Sequence, residues 1–430
     1  MGCGLNPVAA IQLSPEPAQV VTSSPQRIVF VSLVFHPDTS ASSLLFTDLF
    51  RRLVGDDVRV TVLCGFPSKD ADLPLSTLPR RETLGDVAVI RCGIRVCGKK
   101  SLLTRALVYS SFLAHTGRHL LRMEQGTIVV GGTDPPFLPI ALWLVSRIRR
   151  FDYQLILLDL YPEGLVQLGT LKTSSLVTRL WRALNRLSFA HAARLTVIGR
   201  DMAALLQRQY AVDPGKVTYI PHWAPEEVDC VKVTRTTSLL PHLHLEDKFV
   251  VQYSGNMGLW HDMETFIRAA DRLRDDRRIH FLFIGKGMRR QVAERLSREL
   301  PLTNITWLDF LPREELSESL ATCDVALISL RRGLEGIAVP SKLYGILASG
   351  RAVIAQVPPE SEAAHVVREE RCGVVVEPGD VDGLVCAIRS LAADPHLTRT
   401  MGHRAHSAYR NKYTLDHAVA AYRDLWHISS

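Results

Sequence analysis

Apolar and polar positions alternate along the chain in two series. In the first half, short apolar runs predict strands at 27–34, 58–63, 87–91, 127–130, 153–159, 195–198 and 216–220. Segments with helical period separate them at 42–53, 102–121, 137–148, 174–189 and 202–209. From residue 248 the alternation is cleaner, with strands predicted at 249–253, 279–284, 305–308, 325–329, 353–357 and 373–376. Helices are expected to start near Leu259, Met288, Arg313, Pro340, Ser361 and Val381. Strand–helix alternation at this spacing predicts α/β domains with doubly wound parallel sheets. Between the series, 222–247 is aperiodic and proline-containing, which reads as a connector. The division is then a poorly ordered tail at 1–25, a Rossmann-like domain at 26–221, the connector 222–247, a second Rossmann-like domain at 248–410, and a bracing helix at 411–430. Two such domains face each other across a cleft, and ligands of open α/β sheets sit at the carboxyl ends of the strands.

The stretch 335–350 organises the second domain. Pro340 suits a first helical position, Leu343, Ile346 and Leu347 repeat at helical spacing, and Gly350 is a stop. Lys342 then lies in the first turn, where a cation opposes the macrodipole at a cost of a few tenths of a kcal/mol. An anion docked there removes that cost. The N–H groups of Ile337, Ala338 and Val339 and the Lys342 ammonium would converge on it as a phosphate site. The plain alternative is a surface lysine whose stem bends away. Other strand-end loops carry glycine where backbone must approach a ligand: Gly255-Asn256-Met257-Gly258, Gly285-Lys286-Gly287, and the loop through Leu311 and Pro312.

On the helix at 174–189, Leu176, Leu180, Leu184 and Leu187 share one face, with Arg179, Arg182 and Arg186 roughly opposite. The pattern predicts an apolar stripe on a core, or on a membrane surface. Net charge is +7 and lies unevenly. No carboxylate occurs between Asp86 and Glu124, a stretch holding Lys99, Lys100 and Arg105, nor between Glu163 and Asp201. One-signed segments attract lipid headgroups, pyrophosphates or nucleic acid, or are simply solvated faces. No apolar run is long enough to span a bilayer, and no signal peptide is evident. The eight cysteines form no CxxC pair and read as buried reduced thiols. The histidines show no metal-ligand spacing, so no metal is expected.

In their order and spacing, the segments 253–258, 281–287, 310–316 and 339–351 resemble glycosyltransferase family 4, the retaining sugar-nucleotide-dependent transferases of GT-B fold. Weaker echoes lie at 134–137, 159–163 and 220–223, and the resemblance covers about 27–427, with the exopolysaccharide and capsule branch the most similar. It implies a donor site on the second domain and an acceptor site on the first. Gly255, Asn256, Met257, Gly258 and Lys286 would lie beside the donor phosphates. Ile337, Ala338 and Val339 would offer N–H groups to the diphosphate, with Pro340, Ser341 and the Lys342 ammonium alongside. Leu311 and Pro312 would hold the base, and Glu335 the transferred sugar. The chain departs from the family pattern at several places. Asn256 and His261 replace an Arg and a Lys, the usual glutamate pair falls at Ile337 and Gly345, and Leu158 stands where a His is common. Ser40-Ala41-Ser42 replaces a glycine pair near the acceptor.

The resemblance implies a retaining hexosyltransferase. A sugar, from a UDP-sugar by preference, moves to a lipid-linked or saccharide acceptor in cell-surface glycan synthesis. Stabilising the departing diphosphate is the main task, and fixed N–H dipoles with Lys342 perform it. Lys342, Glu335 and Asp159 form the expected catalytic set, and Ser42, Asp134 and Glu163 the acceptor side. The nucleotide-sugar is a substrate, no cofactor is required, and no DxD-like pair suggests a metal. Lys99, Lys100, Arg105, Arg179, Arg182 and Arg186 would face a polyprenyl-linked acceptor, giving a cytoplasmic protein peripheral to the inner membrane face. No nucleic-acid recognition motif is present. The alternatives are a catalytically altered GT-B protein that binds a nucleotide or a partner, and a sugar-nucleotide epimerase.

Overall fold

The computed structural model describes residues 25–67, 77–96, 101–225, 228, 235–236, 239 and 241–428. Lys99, Lys100, Cys3, Cys97, Cys230 and the tail before residue 25 lie outside the described residues.

The first sheet contains β1 (Gln26–Ser32), β2 (Val58–Cys64), β3 (Arg81–Leu84), β4 (Val87–Arg91), β5 (Ile128–Gly131), β6 (Tyr153–Leu157), β7 (Arg194–Val197) and β8 (Val217–Tyr219). Its order is β3-β4-β2-β1-β5-β6-β7-β8, parallel throughout except for β3. Its helices are α1 (Ala41–Leu53), α2 (Leu102–Leu120), α3 (Leu138–Arg149), α4 (Glu163–Gln167), α5 (Leu176–His191) and α6 (Arg200–Tyr210). The second sheet contains β9 (Phe249–Ser254), β10 (Ile279–Ile284), β11 (Ile305–Leu308), β12 (Val325–Ser329), β13 (Ala352–Gln356) and β14 (Gly373–Val376). All are parallel, in the order β11-β10-β9-β12-β13-β14. Its helices are α7 (Glu264–Arg272), α8 (Met288–Glu299), α9 (Leu316–Ala321), α10 (Lys342–Ala348), α11 (Glu362–Glu369), α12 (Val381–Ala393) and α13 (Pro395–Lys412). A last helix, α14 (Leu415–Leu425), follows.

These are the two doubly wound parallel sheets that the hydrophobic pattern predicts. Central β12 and β13 are buried along their whole length, as helices on both faces require, whereas β4 near the edge of its sheet alternates. The second sheet reverses its order between β9 and β12, so the loops leaving those strands open the crevice where ligands bind.

Several expectations are corrected. The β3–β4 hairpin was not foreseen from the polar residues of β3, although Gly85 at φ 59° marks its two-residue turn. Helix α7 starts at Glu264, not near Leu259, because Asp262 caps it through the Thr265 N–H (3.3 Å) and hydroxyl (2.7 Å). Helix α10 starts at Lys342, with Pro340 and Ser341 in the turn before it. The stripe on α5 faces the other way from the core reading. Its buried residues are Thr178, Trp181, Asn185, Ser188 and Phe189, while Leu176 is 80% and Leu180 58% exposed. The polar ones have partners inside: Asn185 donates to the Tyr161 carbonyl (2.6 Å) and Ser188 to that of Pro139 (2.7 Å). These two hydrogen bonds hold the polar face of α5 inward and leave the leucines outside.

The connector contributes to the core. Trp223 is buried, edge-on to Phe46 and Tyr422. Helix α14 returns to the first domain and packs on α1, with Trp426 stacked over Phe50 and donating to Gln154 (3.0 Å). The two chain crossings between domains touch where the Ala224 N–H bonds the Tyr413 carbonyl (3.1 Å). Cys64, Cys92, Cys323 and Cys372 are buried free thiols, whereas Cys386 on α12 is exposed. Among the described residues no helix is long and apolar enough to cross a membrane.

Candidate active site

The second domain supplies a glycine-lined cradle at its switch point. After β9 the backbone turns at Gly255 (φ 124°), and after β10 at Gly285 (φ 130°) and Gly287 (φ 146°). The two loops lie backbone to backbone: Met257 N–H to Lys286 carbonyl (2.8 Å) and Arg289 N–H to Met257 carbonyl (2.9 Å). A Cβ on Gly285 would stand 2.1 Å from the Gly255 oxygen, so only glycine fits. Lys342 reaches this cradle. Its Nζ sits 3.7 Å from the centroid of the Tyr253 ring, donates to Tyr253 Oη (2.5 Å) and lies 3.4 Å from the Asn256 carbonyl. Its terminal methylene lies against Gly255. Among the described residues no carboxylate pairs with Lys342, and burial pushes its ammonium down to about 7. His261 accepts the Gly258 N–H (3.0 Å) and is held neutral at about 3, by burial first and then by Lys342.

Other members of the expected donor set divide. Gly255, Asn256 and Gly258 line the cradle, but Met257 is fully buried and anchors the loop in the core. Lys286 is exposed and pairs with Asp309 (3.4 Å). Leu311 is half-buried and Pro312 exposed, ahead of the turn Arg313–Glu315. Glu335 accepts the Gly333 N–H within its own turn (2.8 Å). The convergent N–H groups are corrected. Ile337 and Ala338 both donate to the Leu334 carbonyl (3.0 and 3.3 Å), so two of the three are spent locally. Gly345 is buried, with Leu320 and Pro225 3.9 Å from where a Cβ would sit. A side chain there would meet packed apolar atoms.

The first domain closes directly on this loop. Asp159 forms an isolated antiparallel bridge with Ala338, and the Leu160 N–H bonds the Ile337 carbonyl (3.0 Å). Gly164 lies so close to the Trp260 ring that a Cβ would approach to 3.2 Å. Beside it, buried Glu362 receives the Arg200 N–H (2.8 Å), the Arg200 guanidinium (3.0 Å) and the Tyr219 hydroxyl (2.8 Å). Asp201 accepts N–H groups from Gly336 (2.8 Å) and Glu362 (3.1 Å). Sequence reasoning missed this Arg200–Asp201–Glu362 latch and also Tyr253. Arg200 and Asp201 lie 162 and 161 positions from Glu362, in charged segments with no motif, whereas Tyr253 stands inside a recognised segment and its ring was the available signal.

On the side where the acceptor is expected, the charges of Asp159 and Asp134 interact. Burial, and then Asp134, push the Asp159 carboxyl up to about 7. Burial and then Asp134 also raise Tyr109 on α2, and burial followed by both carboxylates raises Tyr161. Thr133 Oγ1 accepts the N–H groups of Leu158 (3.3 Å) and Asp159 (3.4 Å), fixing the strand end. Ser42 is half-buried in the first turn of α1. Glu163 is corrected: it is 4% exposed and tied to Arg182 (2.9 Å), the Tyr210 hydroxyl (2.6 Å) and Gln209. It joins α4, α5 and α6 and has no capacity left for an acceptor. Arg182 leaves the basic face with it. Arg105, Arg179 and Arg186 remain exposed, Arg186 touching the Gln209 carbonyl (3.1 Å). Among the described residues no three His, Cys, Asp or Glu side chains gather as a metal site would require.

Comparison with known proteins agrees with this architecture. Residues 236–408 match the family model for glycosyl transferases group 1, and 45–223 that for the glycosyl transferase 4-like domain. The chain is 31% identical over 287 residues to "Probable glycosyltransferase WbjE" of Pseudomonas aeruginosa, covering 66% of this chain and 70% of that protein. It is 26% identical to "Putative colanic acid biosynthesis glycosyl transferase WcaI" of Escherichia coli (strain K12), covering 71% and 76%. Among solved structures, sucrose-phosphate synthase of Thermosynechococcus elongatus superposes with TM-score 0.72 at 16% identity, over 94% of this chain and all of that one. Anabaena HepE in complex with UDP superposes with TM-score 0.67 at 13% identity, over 94% and 100%. With the matched domains in this order, on two parallel-sheet domains closed around a glycine-lined cradle, the chain belongs to the family 4 glycosyltransferases of GT-B fold.

Proposed function

We propose that this protein is a retaining glycosyltransferase. It moves a hexosyl group from a UDP-sugar to a lipid-linked or saccharide acceptor in cell-surface glycan synthesis, and works at the inner face of the membrane. The observation that carries the reading is Lys342. It is a half-buried cation without a carboxylate, held over Tyr253 against the backbone of Gly255 and Asn256. Desolvation without a counter-charge is costly, and a diphosphate in the cradle offsets it. UDP, the ligand named for HepE, and the colanic acid role named for WcaI fit this reading.

In the reaction, the bond from the anomeric carbon to the diphosphate oxygen breaks as positive charge grows on the sugar ring. The acceptor oxygen forms its bond on the same face, and its proton passes to the departing diphosphate. Lys342 stabilises the developing phosphate charge without reorganising. Asp159, placed by its bridge to Ala338 at the domain junction, orients the acceptor hydroxyl, with burial first and then Asp134 holding its carboxyl partly neutral. Glu335 borders the sugar. Arg105, Arg179 and Arg186 draw the first domain to anionic headgroups.

A nucleotide-binding protein of altered activity is the second reading, favoured by the spent Ile337 and Ala338 N–H groups. A thermal-shift panel of UDP, GDP, dTDP and their sugars on wild type and Lys342→Ala tests both. At a hundred times its dissociation constant a ligand adds about 2.7 kcal/mol of apparent stability. One nucleotide should shift wild type and much less the variant. Release of free nucleotide with an acceptor then marks the transferase. No shift from any of them refutes the donor site.

A further inference from the structure

Helices α2, α3 and α5 pack side by side on one face of the first domain. That face carries large apolar side chains in the open: Leu103 on α2 is 79% exposed, Ile148 on α3 73% and Leu176 on α5 80%, with Leu107, Val177 and Leu180 beside them on the same helices. Exposed leucines scattered singly need no explanation, but rows on three adjacent helices do. The three helices together contain seven arginines and no Asp or Glu. A second copy of this chain would set two such positive faces against each other. Leucine rows interleaved with arginines and free of carboxylates instead match the two layers of an anionic bilayer surface, phosphate above and acyl chain below.

Ring contacts also link this face to the domain junction. Phe137, at the start of α3 and 42% exposed, stacks on Trp181 at 4.3 Å. Trp181 lies parallel to Tyr161 at 6.4 Å, and Tyr161 meets Trp260 of the second domain at 6.4 Å. This aromatic track runs from the apolar face to the segment where Asp159 bridges Ala338.

We propose that the α2–α3–α5 face inserts its leucine rows into the headgroup–acyl boundary of an anionic bilayer, so that the aromatic track opens the cleft toward the lipid. The inference rests on the membrane-side acceptor proposed above and changes how the protein is held. Insertion, more than charge, anchors it, and the acceptor's apolar tail stays in lipid while its head reaches Asp159.

Flotation of the full chain with phosphatidylcholine–phosphatidylglycerol vesicles at low and high salt tests this, using Leu103→Glu/Leu107→Glu, Leu176→Glu/Leu180→Glu and Arg179→Gln/Arg186→Gln. Wild type should float at low salt and stay largely bound at high salt. Each leucine pair should lower the bound fraction by about tenfold at both. The arginine pair should weaken binding mainly at low salt. All the altered sites are on the surface, and each variant's thermal shift with the donor nucleotide must equal wild type, which separates failure here from failure of the transferase reading. Three results would overturn the proposal: no flotation, release by salt alone with the leucine pairs behaving as wild type, or light scattering that finds a dimer which the leucine pairs split.

Discussion

The proposed donor site makes nucleotide binding a proton-linked event at Lys342. In the free protein, burial brings its ammonium down to about 7, with the Tyr253 ring and hydroxyl, the Asn256 carbonyl and neutral His261 near it. A bound diphosphate restores the charge and returns the pKa to roughly its ordinary value above 10. The sign follows directly. Below pH 7 the free protein already carries the proton and binding takes up almost none. As pH rises through 7 the free lysine loses it while the complex keeps it. A single site with these two values takes up about 0.1 proton at pH 6 and about 0.9 at pH 8, and affinity falls about tenfold per pH unit above 7. A sugar nucleotide is the right probe because its diphosphate is a diester, fully ionised across this range. Calorimetry at pH 6 and pH 8, in buffers of different ionisation enthalpy, reads the uptake. Lys342→Arg keeps a charge that does not titrate, so it should bind with no uptake and a flat pH profile. His261, neutral throughout, contributes nothing. Zero uptake by wild type at pH 8, or equal uptake by Lys342→Arg, would refute the reasoning.

Glu163→Gln leaves the Arg182 guanidinium beside a neutral amide and should cost roughly 2 kcal/mol or more in urea unfolding. Its acceptor KM should be unchanged at a temperature where the variant is folded. Gly285→Ala drives a methyl group into the Gly255 carbonyl at a left-handed φ, and should both destabilise the second domain by about 3 kcal/mol and abolish the nucleotide thermal shift. For Asp159, the fold favours the neutral carboxyl, so wild type loses stability as pH rises from the ordinary carboxylate range to about 7. Asp159→Asn carries no such loss, and its melting temperature should gain on that of wild type between pH 5 and pH 8. An unchanged difference would place Asp159 in ordinary solvent.

The second domain was legible almost residue by residue, since β10, β11, β12 and β14 begin and end where the apolar runs do. Strands buried on both faces write themselves as continuous apolar segments. The glycine-lined cradle was legible too, because close backbone approach demands glycine at Gly255 and Gly285. What failed were inferences in which a side chain's direction mattered. Periodicity leaves the α5 leucines on a core or on a membrane surface, and it is Trp181, Asn185 and Ser188 that take the core side, meeting the Tyr161 ring, the Tyr161 carbonyl and the Pro139 carbonyl, partners that no local pattern encodes. Glu163 was read as an acceptor contact because its motif suggested so, but three partners from α5 and α6 claim its carboxylate. The N–H groups of Ile337 and Ala338 looked free because the Leu334 carbonyl that takes them belongs to a turn the sequence does not announce.

Helix α14 has a consequence for the order in which the protein is made. The apolar layer between α1 and the first sheet includes Tyr422 and Trp426 alongside Phe46 and Phe50. Those two aromatic rings leave the ribosome only after the entire second domain has been translated. The first domain, first to emerge, therefore waits with one wall of its core open while its neighbour folds. Phe50 and the flank of Trp223 stay exposed over that interval, so the nascent first half is a natural client for chaperones, and a stalled or prematurely ended chain would display an aromatic surface to degradation.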